Sequence, residues 1–110
     1  MRRSIKFKKP DGDYGIGFMD LQEANFKNKL ESVEEDEIQI NVDYPFCKRD
    51  GYTIKVKNKH GVKMYQVARA IAKIYDQNDK DMWGHSVFDL SFCDINRIGK
   101  SNKFWVGVDS

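Results

Sequence analysis

Between Met64 and Gln77 the apolar residues Val67, Ile71, Ile74 and Tyr75 recur at i, i+4, i+7 and i+8, the spacing of one face of an α-helix. Ala68, Ala70 and Ala72 add intrinsic helix preference, Arg69 and Lys73 fall on the opposite side, and Asn78-Asp79 closes the run. A stripe this wide has to be covered by something apolar and flat. Most of the remaining apolar residues alternate with polar ones at period two, the pattern of half-buried strands. The expected fold class is therefore α+β: an antiparallel or mixed sheet of about six strands with one long helix packed on one face. Alternation in nearly every strand also implies that the second face of the sheet is polar or meets a partner.

The strands are read as follows. Ser4–Lys9 sets Ile5 and Phe7 against Lys6 and Lys8, Pro10-Asp11-Gly12-Asp13 has turn chemistry, and Tyr14–Met19 is the return limb of a hairpin loosened by Gly15 and Gly17. The run Gly12-x-x-Gly15-x-Gly17 lacks a following lysine and a helix start, so it is not a phosphate cradle. Between Asp20 and Val33, a weak capping box (Asp20, Glu23) and the spacing of Phe26, Leu30 and Val33 suit a helix, but Asn25 and Asn28 suit an irregular connection equally well. Ile38–Tyr44 is the clearest strand and ends at Pro45; Tyr52–Lys57 follows with lysines on its open face. A strand from Val87 to Ile98, a turn at Gly99–Asn102 and a strand at Phe104–Val108 complete the chain. The length suits one domain over 1–110, made of an N-terminal hairpin and connection (1–37) and a β-β-α-β-β unit (38–110).

The net charge of +2 conceals a strong segregation. Residues 1–10 carry Arg2, Arg3, Lys6, Lys8 and Lys9 and no acid; residues 11–46 carry ten acids against two lysines; residues 47–80 carry nine bases against three acids. Such blocks either meet inside the fold or form faces that meet in a partner, for instance the basic edge of one copy on the acidic stretch of another. Glu34-Glu35-Asp36-Glu37 reads as a solvated turn before a strand. The cationic candidates for phosphate contact are Arg2, Arg3, Lys6, Lys8 and Lys9 together with Lys55, Lys57, Lys59 and Lys63, with Tyr52 or Tyr65 available for stacking. Against that role, the sequence pI of 8.5 lies below the value of about 9 that marks many nucleic-acid-binding domains.

Trp83-Gly84-His85, followed by Asp89-Leu90, is the most unusual local string. One reading makes Asp89 the orienting carboxylate of His85, acting as general base or metal ligand. In extended chain the two stand about 13 Å apart, so they meet only if the segment bends. The other reading puts Trp83 in a core hole, Gly84 in a turn, and His85 in a hydrogen bond to that turn. His60 belongs to a solvated turn; Cys47 with His85, or Cys93 with His60, forms a nucleophilic pair only if the fold brings them together. Two cysteines and no apolar leader or membrane-length run suggest a reducing compartment, no membrane association and no secretion. Both thiols then act as small hydrophobes, a single disulfide being the alternative.

Asp43-Tyr44-Pro45, the lysine-rich strand, the helix Val67-x-x-Ala70-x-x-x-Ile74-Tyr75, the string Trp83-Gly84-His85-x-x-x-Asp89-Leu90 and the terminal Val108-Asp109-Ser110 together resemble a family of short proteins from large DNA viruses of amoebae and algae, of the mimivirus and marseillevirus kind. The resemblance spans 38–110 and leaves 1–37 unmatched. It implies a viral protein packaged in the virion and present in the host cytoplasm or nucleus, and it brings no catalytic residues and no cofactor. The expected function is non-enzymatic: binding to itself as a homodimer, or to another viral or host protein. A nucleic-acid-binding module built on the basic residues is the alternative, and an enzyme centred on His85 is the second alternative.

Overall fold

A computed structural model describes residues 3–110; Met1 and Arg2 lie outside the described residues. In chain order the elements are β1 (Ser4–Lys6), α1 (Phe18–Glu23), β2 (Glu37–Val42), β3 (Tyr52–Lys57), α2 (Met64–Gln77), β4 (Ser91–Arg97) and β5 (Lys103–Asp109), with a 3-10 turn at Val87–Asp89 before β4. The strands form one sheet in the order β1-β4-β5-β2-β3. Every neighbouring pair is antiparallel except the central β2 and β5, which run parallel.

α2 occupies the span its periodicity predicts, and Met64, Val67, Ala68, Ile71, Ala72, Ile74 and Tyr75 are buried on its inner side. They pack on Ile38, Ile40 and Val42 of β2, Phe92 and Ile95 of β4, and Phe104 and Val106 of β5, all within one apolar cluster. Each large aliphatic or aromatic side chain in such a layer contributes about 1.5–3 kcal/mol relative to exposure. At the start of α2 the Gln66 side chain accepts from the Lys63 N–H (3.0 Å), satisfying a donor the helix leaves free. Near its end, the Tyr75 hydroxyl donates to the Tyr44 carbonyl (2.6 Å), and burial pushes that phenol well above its ordinary pKa. The Tyr44–Pro45 peptide is cis.

The sheet has five strands, not about six, and there are two helices. The hairpin turn forms, with Lys8 bridged to Tyr14, but the return limb is no strand. Ile16 makes one further bridge, to Phe92, and at Phe18 the chain turns into α1. Gly15 and Gly17 weaken any ladder there, while the helix buries Phe18 and Leu21 in the core, a larger gain than two more strand residues offer. The stretch after α1 is irregular; Phe26 and Val33 are buried as expected, but Leu30 points to solvent. β4 begins at Ser91 rather than Val87, because the Ser86 hydroxyl accepts from the Phe88 N–H and winds the chain into the 3-10 turn.

The acidic run is a solvated turn only in part: Glu34 and Asp36 are exposed in bends, while Glu35 and Glu37 are engaged by basic residues. Arg97 lies on the covered side of β4, and its guanidinium forks onto both carboxylate oxygens of Glu35 (2.5 and 2.7 Å) while donating to the Ser101 carbonyl (2.8 Å). Glu37 pairs with Lys57 at 3.3 Å. Of this acidic run, Glu35 meets a basic residue inside the fold and Glu37 meets one at the surface. At the entry to β3, Asp50 and Gly51 both have positive φ, and a Cβ on Gly51 would lie 2.1 Å from the Val42 carbonyl oxygen. Only glycine fits that approach.

Candidate functional site

Both helices pack on one side of the sheet, so the other side is uncovered. Its residues follow from strand parity and register. Ser4, Asn96, Trp105, Asn41 and Thr53 are successive cross-strand partners and make one continuous row across all five strands. The next row along β5, β2 and β3 is Lys103, Gln39 and Lys55. Trp105 stands at the centre, 49% exposed although it sits on an interior strand, whereas its neighbour Phe104 faces the helices and is 1% exposed.

The side chains around Trp105 are held by their donors. The Asn41 amide nitrogen donates to the Asp50 carbonyl (2.8 Å) and to Thr53 Oγ1 (3.3 Å); the Asn96 amide nitrogen donates to Asp94 Oδ1 (2.8 Å). Among the described residues no donor reaches either Asn Oδ1. Asp94 folds over Gly107, whose missing Cβ makes the room: a methyl there would lie 2.2 Å from Asp94 Oδ1. Of the acids on this face, Glu37 is paired with Lys57 and Asp94 is tied to Asn96, while Asp109 lies at the far end of β5. Among the described residues neither Lys55 nor Lys103 has a carboxylate within ion-pair reach. Lys55 helps line a shallow depression of about 150 Å³ with Glu37, Ile38, Gln39 and Asn102; a second of about 270 Å³, lined by Asp36, Glu37, Lys57 and Lys59, opens at the sheet edge.

The sequence candidates do not gather in one place. Lys55 and Lys57 are on the open face of β3, and Lys6 is on the open face of β1, about 19 Å away across four strand spacings, with its ammonium 4.0 Å from the Tyr14 ring centre. Lys8 and Lys9 lie in the hairpin, Lys59 in the turn after β3, and Lys63 is half-buried at the start of α2. Arg3 is exposed and uses its carbonyl to accept the Arg97 N–H; Arg2 is outside the described residues. Neither tyrosine named for stacking serves the open face. Tyr52 turns inward against Phe46 (4.8 Å between ring centres) and donates to Asp81 at 2.7 Å, and Tyr65 sits on α2 under Arg69. That hydrogen bond holds the Asp81 carboxyl below its ordinary range and raises the Tyr52 phenol.

Trp83 does not fill a core hole. It is 74% exposed with φ 51, followed by Gly84 at φ 77, and these two left-handed residues swing the indole outward. His85 donates its backbone N–H to Met82 (2.8 Å), and its ring lies edge-on to Tyr44, 5.7 Å between centres. Asp89 is exposed in the 3-10 turn, and no ion pair or hydrogen bond joins it to His85 among the described residues. Phe88, 69% exposed, meets the edge of Phe18. Both cysteines are free thiols, so the disulfide alternative falls, and Cys47 is exposed rather than packed. Burial, with Asp109 and Asp94 nearby, pushes the Cys93 thiol up. No group of three His, Cys, Asp or Glu side chains among the described residues is placed to hold a metal, and no helix among them is long and apolar enough to cross a membrane.

Trp105, Lys103, Asn41 and Asn96 escaped the sequence reading of the site. The signal for the first two was present: inward Phe104, Val106 and Val108 force Lys103, Trp105 and Gly107 outward on the same strand. No protein-family model, no curated protein and no solved structure matches this chain.

Proposed function

We propose that this protein is a non-enzymatic nucleic-acid-binding module that works through the uncovered face of its sheet. One observation carries the reading: Lys103 on an interior strand, two residues from a half-exposed tryptophan, and Lys55 in the same row beyond Gln39 present unpaired charge. Lysines on an edge strand such as β3 have a simpler use, blocking edge-to-edge pairing, but that reason does not extend to Lys103 on β5. Phosphate neutralisation by these groups makes binding salt-dependent. Anisotropy titrations of labelled DNA and RNA across a salt series test it. Lys55→Ala and Lys103→Ala are each expected to lower the log–log salt slope by about one, and Lys59→Ala to leave it unchanged. Absence of any shift at low salt with either polymer ends the reading.

Exposed Trp83 and Phe88 favour a second reading, association with a second copy into a homodimer through the loop before β4. With Glu35 and Glu37 already paired within the chain, such a dimer rests on apolar burial rather than on those two charges. Light scattering over a concentration series decides it: a dimer that Trp83→Ser and Phe88→Ser dissociate supports it, and a monomer throughout removes it. From the resemblance of residues 38–110 we propose a large DNA virus as the setting, with the protein carried in the virion and acting in the host cell. Peptides of this chain in purified particles support that setting, and their absence from infected-cell particles speaks against it.

A further inference from the structure

We infer that the open face takes a single-stranded nucleic acid, one base stacking on Trp105 while the side-chain carbonyls of Asn41 and Asn96 accept from its edge; this rests on the nucleic-acid reading above. A tryptophan half-exposed on a central strand, with no ring or cation stacked on it among the described residues, offers a flat apolar platform. Its cross-strand partners on either side are Asn41 and Asn96, about 5 Å away at Cβ, close enough for their amides to frame a base lying on the indole. Asn41 has committed both of its amide N–H groups, to Asp50 and Thr53, and Asn96 one of its two, to Asp94, so Asn41 offers a ligand an oxygen and Asn96 an oxygen beside one remaining N–H. An acceptor-lined platform selects bases with an exocyclic amino group.

The charges fix where the backbone runs. Lys103 and Lys55 form the row about 7 Å to one side of Trp105, two residues along the strands. On the other side the Asp94 carboxylate lies over Gly107. Phosphates therefore follow the lysine row, and the base reaches inward over Trp105. A duplex keeps its bases in the stack and can offer this surface only phosphates, so the platform distinguishes single strands from double ones.

The test uses the full chain carrying Trp83→Phe, which leaves Trp105 as the sole indole. Its fluorescence is titrated with oligo(dC), oligo(dT) and a duplex, each of about ten nucleotides or pairs, at about 50 mM salt. Expected are quenching by the single strands, tighter binding of oligo(dC) than of oligo(dT), and weaker, unquenched binding of the duplex. Read by anisotropy of a labelled oligonucleotide, because no indole remains, Trp105→Ala is expected to lose about five- to 150-fold in affinity, and Trp105→Phe to keep most of it. Circular dichroism establishes that the variants fold, and quenching of Trp105 in the Trp83→Phe chain carries the test if the Ala variant does not fold. Salt-dependent binding without quenching, indifferent to Trp105→Ala, overturns the stacking inference and leaves the lysine reading standing. Equal binding of oligo(dC) and oligo(dT) overturns the role of the two asparagines. No binding of any oligonucleotide overturns the reading beneath it as well.

Discussion

Phe104 and Trp105 are adjacent aromatic residues on the same central strand, one 1% and the other 49% exposed. The difference between them is the difference between the two faces of the sheet. Toward the helices, Phe104 touches the apolar cluster and lies 4.5 Å under the Arg97 guanidinium. Away from them, Trp105 meets a row of amides and hydroxyls. Covering one face stabilises the fold, and leaving the other bare leaves a surface whose composition is free to serve binding.

The sharpest way to break this contrast is to shorten each residue in turn. Phe104→Ala is expected to cost about 3–5 kcal/mol in denaturant melts, and Trp105→Ala less than about 1 kcal/mol. Equal losses would mean that the open face is as structural as the covered one. Next in size is Glu35→Ala, which strips the bidentate partner from an arginine whose side chain is 1% exposed, at a cost of about 3 kcal/mol. Gly51→Ala follows at about 2–3 kcal/mol, from its left-handed φ and the approach to the Val42 carbonyl.

A smaller, pH-dependent effect sharpens the contrast on the loops that join the layers. Asp81, held below its ordinary value by the Tyr52 hydroxyl, contributes stability that is present above pH 3.8 and is lost as pH falls through its lower folded value. Tyr52, raised by the same bond, contributes stability present below pH 10.0 and lost as pH rises past its higher folded value. Thermal melts over a pH series are expected to show both limbs, with Tyr52→Phe flattening them. Smallest of all, Lys55→Ala and Lys103→Ala are expected to leave stability within about 0.5 kcal/mol of the parent, so that any effect on binding is read cleanly.

The elements with strong local periodicity were legible in the sequence: α2 at Met64–Gln77, β3 at Tyr52–Lys57 and nearly all of β2. The weak ones were not. Tyr14–Met19 carries strand-like alternation, but two glycines and the pull of Phe18 and Leu21 toward the core made a helix of its end. Val87 to Leu90 alternates like a strand as well, and a single serine hydroxyl redirected it. The site was half legible. Alternation alone puts Lys55 and Lys57 on the open face of β3, where they lie, but the tyrosines it offers do not serve that face, Tyr52 turning inward and Tyr65 sitting on α2, and Trp83 does not enter the core its apolar character suggests.

By itself, the sequence determined which residues of α2, β2 and β3 turn toward a core, because a period of 3.6 or 2 leaves each side chain only one of two faces. It did not determine strand order, and so could not say that Asn41 and Asn96, 55 positions apart in the chain, would flank one tryptophan. The parallel pairing of β2 with β5 decided that, together with the placement of both helices on one side. Those are long-range choices, made by the burial of the whole apolar set at once, and no local window contains them.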